Sequence, residues 1–249
     1  MKKRLCLAIY VMLCMGCTSS QELENINDLM ENPNPENNPG TKEETETPTT
    51  YNLLALGDSY TIGQSVCETC RFPEQLKDSL ISNFNPNDTF NLKIIATTGW
   101  TTTNLLQALS TENLEANYDL VTLLIGVNNQ YQQKPFSIYE TEFPNLVNKA
   151  ILYAKNDIAN VIVISIPDYA FTPFGNGNEK ISEEIDNYNA FAKTYCDNNN
   201  ISYINITDIT RMGLTNPNLV ASDGLHPSEL AYSKFVERIL PIAIKKLKD

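Results

Sequence analysis

His226 is the only histidine of the chain, and it stands in Asp223-Gly224-Leu225-His226-Pro227. Any acid–base chemistry through imidazole must therefore use His226, which has a carboxylate three residues before it. Far upstream, an apolar run ends in Leu56-Gly57-Asp58-Ser59-Tyr60. A serine after a first strand and a late Asp-x-x-His supply the three groups of a serine hydrolase. These are a hydroxyl nucleophile, a base that takes its proton and an acid that orients the base. Asp223 would hold one ring nitrogen while the other takes the proton of Ser59.

Such groups act only if the chain between them brings them together, and the hydrophobic pattern describes how. From Tyr51 onward, apolar runs alternate with helical stripes. Leu53 to Leu56, Leu92 to Ala96, Leu120 to Ile125, Val161 to Ile166 and Ser202 to Ile206 read as five strands. Leu120 to Ile125 is apolar at nearly every position, as expected of a strand buried on both faces. Between them, Phe72, Leu76 and Leu80 suggest one helix, and Leu105 to Leu109 belongs to a short second one. Phe143, Leu146, Val147, Ala150, Ile151 and Ala154 share a helical face. So do Ile181, Ile185, Tyr188, Ala192 and Tyr195, a stripe that Cys196 extends as a core thiol. A final stripe runs from Ala231 to Ile244, with Pro241 predicted to kink it. The alternation predicts a three-layer α/β/α sandwich around a mostly parallel five-stranded sheet, flavodoxin-like in winding. Ligands of such sheets bind beyond the carboxyl ends of the strands. Ser59, Gly99, Asn128 and Asp168 all directly follow predicted strands, so they converge on that edge.

Four short blocks carry a family likeness. They are Gly57-Asp58-Ser59-Tyr60, Gly99 in Thr97-Thr98-Gly99-Trp100, Gly126-Val127-Asn128-Asn129, and Asp223-Gly224-Leu225-His226-Pro227. Each is weak alone; four in this order, each at a strand end, are specific. Across residues 51–249 the chain resembles the SGNH (GDSL-type) hydrolases, with Tyr60 where the eponymous Leu stands. The resemblance implies Ser59 as nucleophile, His226 as general base and Asp223 as its orienting acid. It also implies an oxyanion hole made of the Ser59 and Gly99 backbone N–H groups and the Asn128 side-chain amide. It implies no cofactor. The third block usually ends Asn-Asp, whereas here it ends Asn128-Asn129. The amide donor is kept, and the hydrogen bonding around it is what the departure affects. Replacing Asn129 by Asp is expected to be tolerated, since it restores the common residue. The Gly-x-Ser-x-Gly elbow of α/β-hydrolases is absent.

The ends and the charges bound the partners. The chain has 249 residues and a net charge of −12. No basic patch stands out, which argues against nucleic acid as a partner. Residues 1–17 read as a lipoprotein-type signal: Lys2, Lys3 and Arg4, a short apolar core, then Leu13-Cys14-Met15-Gly16-Cys17, which resembles a bacterial lipobox. Cys17 is the candidate lipidated residue, although Cys14 is atypical at its place in that pattern. Residues 18–50 carry eight acids against Lys42 alone and are rich in Asn, Pro and Thr. They read as a disordered tether. Residues 51–249 form the hydrolase-like domain. Cys67-Glu68-Thr69-Cys70 is a CxxC pair. A metal site would need two further ligands, and only Cys196 and His226 remain, so no metal is expected. In an exported protein a short Cys67–Cys70 disulfide is expected.

The expectation is an exported esterase, lipid-anchored to a bacterial membrane and facing the periplasm or the cell surface. Its substrates would be small-molecule or glycan esters with short acyl groups, such as O-acetylated carbohydrate. The polar Gln130–Gln133 and Gly175–Asn178 loops fit that choice, whereas Phe171 and Phe174 fit an apolar pocket. A lipase or lysophospholipase is the alternative within the class. A non-catalytic surface-binding module on the same scaffold is the alternative outside it. The oligomeric state is not legible in the sequence.

Overall fold

A computed structural model describes residues 47–248. The signal, the candidate lipidated Cys17 and nearly all of the tether lie outside the described residues. Five parallel strands form one sheet: β1 (Thr50–Gly57), β2 (Thr89–Ala96), β3 (Leu120–Leu124), β4 (Val161–Ile164) and β5 (Ser202–Ile204). Their order is β2-β1-β3-β4-β5. Every residue of β3 and β4 is buried, because helices cover both faces of these inner strands. The edge strand β2 instead alternates in exposure along most of its length.

Strands β1 and β2 each begin three residues before the apolar run that announces them. Thr50 to Asn52 pair in register with Thr89 to Asn91. Ladder hydrogen bonds come from the backbone, so threonine and asparagine on either side of the stacked Tyr51 and Phe90 rings extend the strands at a solvated end. Side-chain rungs reinforce this stretch: the Thr50 and Thr89 hydroxyls share a hydrogen bond of 2.8 Å, and Asn91 Nδ2 donates to Asn52 Oδ1 at 3.1 Å.

The helices are α1 (Ser59–Ile62), α2 (Phe72–Ile81), α3 (Thr102–Thr111), α4 (Val127–Tyr131), α5 (Phe136–Tyr153), α6 (Glu179–Asn198), α7 (Thr207–Thr210) and α8 (Glu229–Lys248). Helix α2 packs against α8, and α5 packs against α3 and α6. Of the predicted stripes, Phe72, Leu76 and Leu80 of α2 and Ile185, Tyr188, Ala192 and Cys196 of α6 are buried, whereas Ile181 and Tyr195 are half-buried at the edge of the core. Helix α8 runs through Pro241, which lacks the N–H that would bond one turn back. Cys196 is a free buried thiol, and burial pushes its pKa up to about 12.

The chain leaves β1 toward β2 on one side and returns to β3 on the other. The carboxyl ends of β1 and β3 are therefore the switch point of the winding, where Gly57 and Leu124 sit side by side. A Cβ on Gly57 would lie 2.0 Å from Thr61 Oγ1 and 2.5 Å from the Leu124 carbonyl oxygen. Glycine there lets the first turn after β1 close tightly onto its neighbour strand.

Candidate active site

Ser59 is the first residue of α1, immediately past the switch point. Asp58 caps this helix by accepting the Tyr60 N–H at 3.0 Å. Asp58 is fully buried, and burial pushes its pKa up to about 7 against the lowering effect of its hydrogen bonds. Its other oxygen accepts from Asn128 Nδ2 at 3.4 Å. Asn128 Nδ2 also donates to the Trp100 carbonyl at 3.1 Å. The turn after β1, the turn after β2 and helix α4 after β3 are thus joined at one amide.

Gly99 takes φ +84°, and a Cβ there would meet nothing within 4 Å. The residue is left-handed and faces open space, so its backbone is accessible to a ligand. Gln132 Nε2 donates to the Gly99 carbonyl at 2.8 Å and pins this turn.

His226 is mostly buried, at 7% exposure, and its ring sits 5.1 Å from that of Tyr60. Its Nδ1 lies 2.6 Å from Asp223 Oδ2. Asp223 Oδ1 accepts the Leu225 N–H at 2.9 Å and the His226 N–H at 3.0 Å. Burial alone would raise the Asp223 carboxyl. Hydrogen bonds from Ser65, from the His226 ring and from the two backbone N–H groups outweigh it and hold the group well below the usual carboxylate range. Asp223 is therefore anionic across the neutral range, and Nδ1 carries the hydrogen between them. In the neutral ring this leaves the Nε2 nitrogen as a proton acceptor.

Ser59, Gly99, Asn128 and His226 line one cleft of about 200 Å³, together with Val127, Tyr131, Tyr169, Phe174 and Leu225. Asp223 stands behind the imidazole rather than in the cleft wall. Phe174 lines the cleft and Phe171 does not. Asp168 faces away from the cleft: it caps the Tyr169–Phe171 turn and pairs with Arg211 Nε at 2.9 Å. Cys67 and Cys70 are joined by a disulfide with Cα atoms 5.0 Å apart. Among the described residues, no group of three or more His, Cys, Asp or Glu side chains is placed to hold a metal ion.

Three contacts of the site are not legible in the sequence. Asn129 is fully buried and exchanges two hydrogen bonds with Thr102. Tyr169 donates through its hydroxyl to Gln130 Oε1 at 2.7 Å, shaping one wall of the cleft. Ser65 donates to Asp223 Oδ2 at 2.6 Å. Each contact joins residues remote in sequence, so no local pattern announces it.

Comparison with known proteins agrees with this architecture. The profile of the GDSL-like lipase/acylhydrolase family matches residues 55–234. A variant of an acetyl xylan esterase from Geobacillus stearothermophilus superposes with a TM-score of 0.62 at 18% identity, covering 79% of this chain and 95% of that one. A lipase/acylhydrolase from Enterococcus faecalis gives 0.61 at 18% identity over 80% and 96%. A lipase from a goat rumen metagenome gives 0.62 at 17% over 77% and 97%. Among curated proteins, none matches this chain in sequence. At these identities the structures establish the fold, whereas the family match spans both the Ser59 turn and the Asp223–His226 loop. The chain accordingly belongs to the GDSL-like lipase/acylhydrolase family and is a hydrolase of ester bonds.

Proposed function

We propose that the cleft hydrolyses short-acyl carboxylic esters, with O-acetyl groups on carbohydrate as the preferred class. Ser59 Oγ attacks the ester carbonyl while His226 Nε2 takes its proton. Asp223 holds the ring and stabilises the imidazolium. The alcohol then leaves with the proton from His226, and water, activated by the same nitrogen, releases the acid from Ser59. The Ser59 and Gly99 N–H groups and the Asn128 amide receive the oxyanion. Of the two contacts that Asn128 Nδ2 makes at rest, the 3.4 Å one to Asp58 is the weaker and is the one an oxyanion replaces.

The observation that carries the choice of substrate is the size and lining of the cleft. Its roughly 200 Å³ lies below the range of about 300–1,000 Å³ usual for drug-sized ligands. Apolar Val127, Tyr169 and Leu225 beside Ser59 suit a small acyl group. The similar solved structures include both an acetyl xylan esterase and lipases, so they do not decide between these substrates.

One feature favours a second reading. Tyr131 and Phe174 are 54% and 52% exposed, with ring centroids 6.0 Å apart. An acyl chain too long for the cleft could lie across them, as in a lipase. A series of p-nitrophenyl esters beside acetylated xylan decides. The short-acyl reading expects kcat/KM to peak at two to four carbons and to collapse by eight, with acetate released from the polysaccharide. A peak at eight carbons or beyond would transfer the protein to the lipase reading.

The first 17 residues support a proposal about location: export and attachment to a bacterial membrane through a lipid on Cys17. Labelling with a fatty-acid analogue that persists after Cys17→Ser would contradict it.

A further inference from the structure

The segment that leaves α1 does more than connect it to α2. It turns at Gly63, whose N–H and that of Gln64 both donate to the Ser59 carbonyl, at 3.1 and 3.0 Å. The next two side chains touch opposite arms of the site. Gln64 Oε1 accepts from the Thr98 hydroxyl at 2.7 Å, beside Gly99. Ser65 Oγ donates to Asp223 Oδ2 at 2.6 Å, across 158 residues of chain. Ser65 holds φ +68°, a left-handed conformation that residues with a Cβ avoid. The turn is secured by the Val66 N–H on the Gly63 carbonyl at 3.2 Å and, one residue later, by the Cys67–Cys70 disulfide. An unfavourable backbone kept in place beside a functional carboxylate points to a role for the side chain it presents.

We propose that Ser65 is a positioning residue of the ester-hydrolysing site: its hydroxyl fixes the Asp223 carboxylate that orients His226. The inference rests on the Ser59–His226–Asp223 reading above and extends it by a fourth member. With Ser65 present, Asp223 Oδ2 has two partners, Ser65 and the ring, and Oδ1 has two backbone donors. All four directions of approach are filled, so the carboxylate is held against rotation. The Asp223 side chain is 29% exposed, so without Ser65 a mobile water takes the hydroxyl's place and that restraint is lost. The hydroxyl also draws charge from Oδ2. Its removal leaves a stronger anion beside the imidazole, which favours the imidazolium. The other ionisable groups that act on Tyr60, whose ring lies against that of His226, are Asp58, Tyr169 and Tyr232. The Ser65 hydroxyl instead donates to Asp223.

The test compares Ser65→Gly and Ser65→Ala with the wild-type full chain on p-nitrophenyl acetate. Glycine removes the hydroxyl and tolerates the left-handed backbone, so its effect is free of strain. Expected is a fall in kcat of about tenfold with little change in KM, the signature of misalignment rather than lost binding. The acid limb of kcat/KM should move to higher pH. Because His226 is the only histidine, its ring N–H is a single proton resonance, and it should shift in both variants. An unchanged kcat, acid limb and resonance in Ser65→Gly would overturn the proposal. Loss of the folded state in both variants would overturn it too, since the hydroxyl would then be structural. Ser59→Ala in the same assay separates the two readings. Activity surviving there sinks the triad itself, whereas a dead Ser59→Ala beside a wild-type-like Ser65→Gly sinks only the role of Ser65.

Discussion

Asn129 and Thr102 exchange two hydrogen bonds beneath the cleft. Asn129 Oδ1 accepts the Thr102 N–H at 2.9 Å, and Asn129 Nδ2 donates to Thr102 Oγ1 at 2.7 Å. Thr102 Oγ1 passes its own hydrogen to Glu142 Oε2 at 2.5 Å. The direction of the chain is set: amide to hydroxyl to carboxylate. Judged by family pattern alone, Asp at 129 is harmless. The contacts argue otherwise. A carboxylate at 129 has no hydrogen to give, and the Thr102 hydroxyl can donate to only one of two acids.

Asn129→Asp is therefore expected to destabilise the protein by about 1–3 kcal/mol, the cost of a buried polar group left without its partner. Glu142→Gln added to it should recover most of that loss, because the glutamine amide can donate to Thr102 while Thr102 donates to position 129. Urea unfolding of the two single variants and the double variant measures the coupling. Additive losses would mean that Glu142 is not part of the chain.

Asn128→Ala should lower kcat by about 10²–10³ while KM changes less, because the amide matters most when charge develops on the substrate oxygen. Stability should fall modestly as well, since the Trp100 carbonyl and Asp58 lose a donor. Steady-state kinetics at one pH suffices. A larger kinetic effect from Asn129→Ala than from Asn128→Ala would place the wrong amide in the oxyanion hole.

The parts of this molecule that were readable in sequence share a physical cause. Strands β3 and β4 are buried on both faces, so their apolar runs mark them almost residue by residue. The starts of β1 and β2 were not readable, because only Tyr51 and Phe90 are apolar there and the pairing is backbone to backbone. Helix α4 was not readable either: five residues after Gly126 are too few to show a period. Ser59, Gly99 and Asn128 could be placed near one another because each follows the carboxyl end of a strand of the same sheet. The bonds from Ser65 to Asp223 and from Asn129 to Thr102 could not. They depend on how two loops meet, which no spacing encodes.

With His226 as the only imidazole, loss of kcat/KM in acid should follow the uptake of one proton. Asp223 does not contribute, because its hydrogen bonds keep it ionised far below the neutral range. Protonated imidazole cannot accept the Ser59 hydrogen, so activity falls as pH falls. His226→Ala should leave only a small fraction of activity, and diethyl pyrocarbonate should inactivate in step with one modified ring. An acid limb with a slope of two protons would show that a second group controls the base.

Asp58 links the site to stability. Its folded-state pKa is pushed up to about 7 from the ordinary 3.8, chiefly by burial. Between those two values the unfolded chain is ionised while the folded one stays protonated, so stability falls as pH rises through that window. Above about 7 both forms are ionised and the loss is complete; below 3.8 both are protonated and it vanishes. Asp58→Asn cannot ionise, yet asparagine caps a helix as well as aspartate does. The variant should therefore gain in Tm relative to wild type as pH rises from about 4 to 7, then hold that advantage. It should also be slower, because an amide at 58 turns a second donor toward Asn128 Nδ2 and disturbs the proposed oxyanion site. Melting curves across pH 4 to 9 measure the first effect and kcat the second. A Tm difference that stays constant over the whole range would show that Asp58 ionises in the folded protein as it does in water.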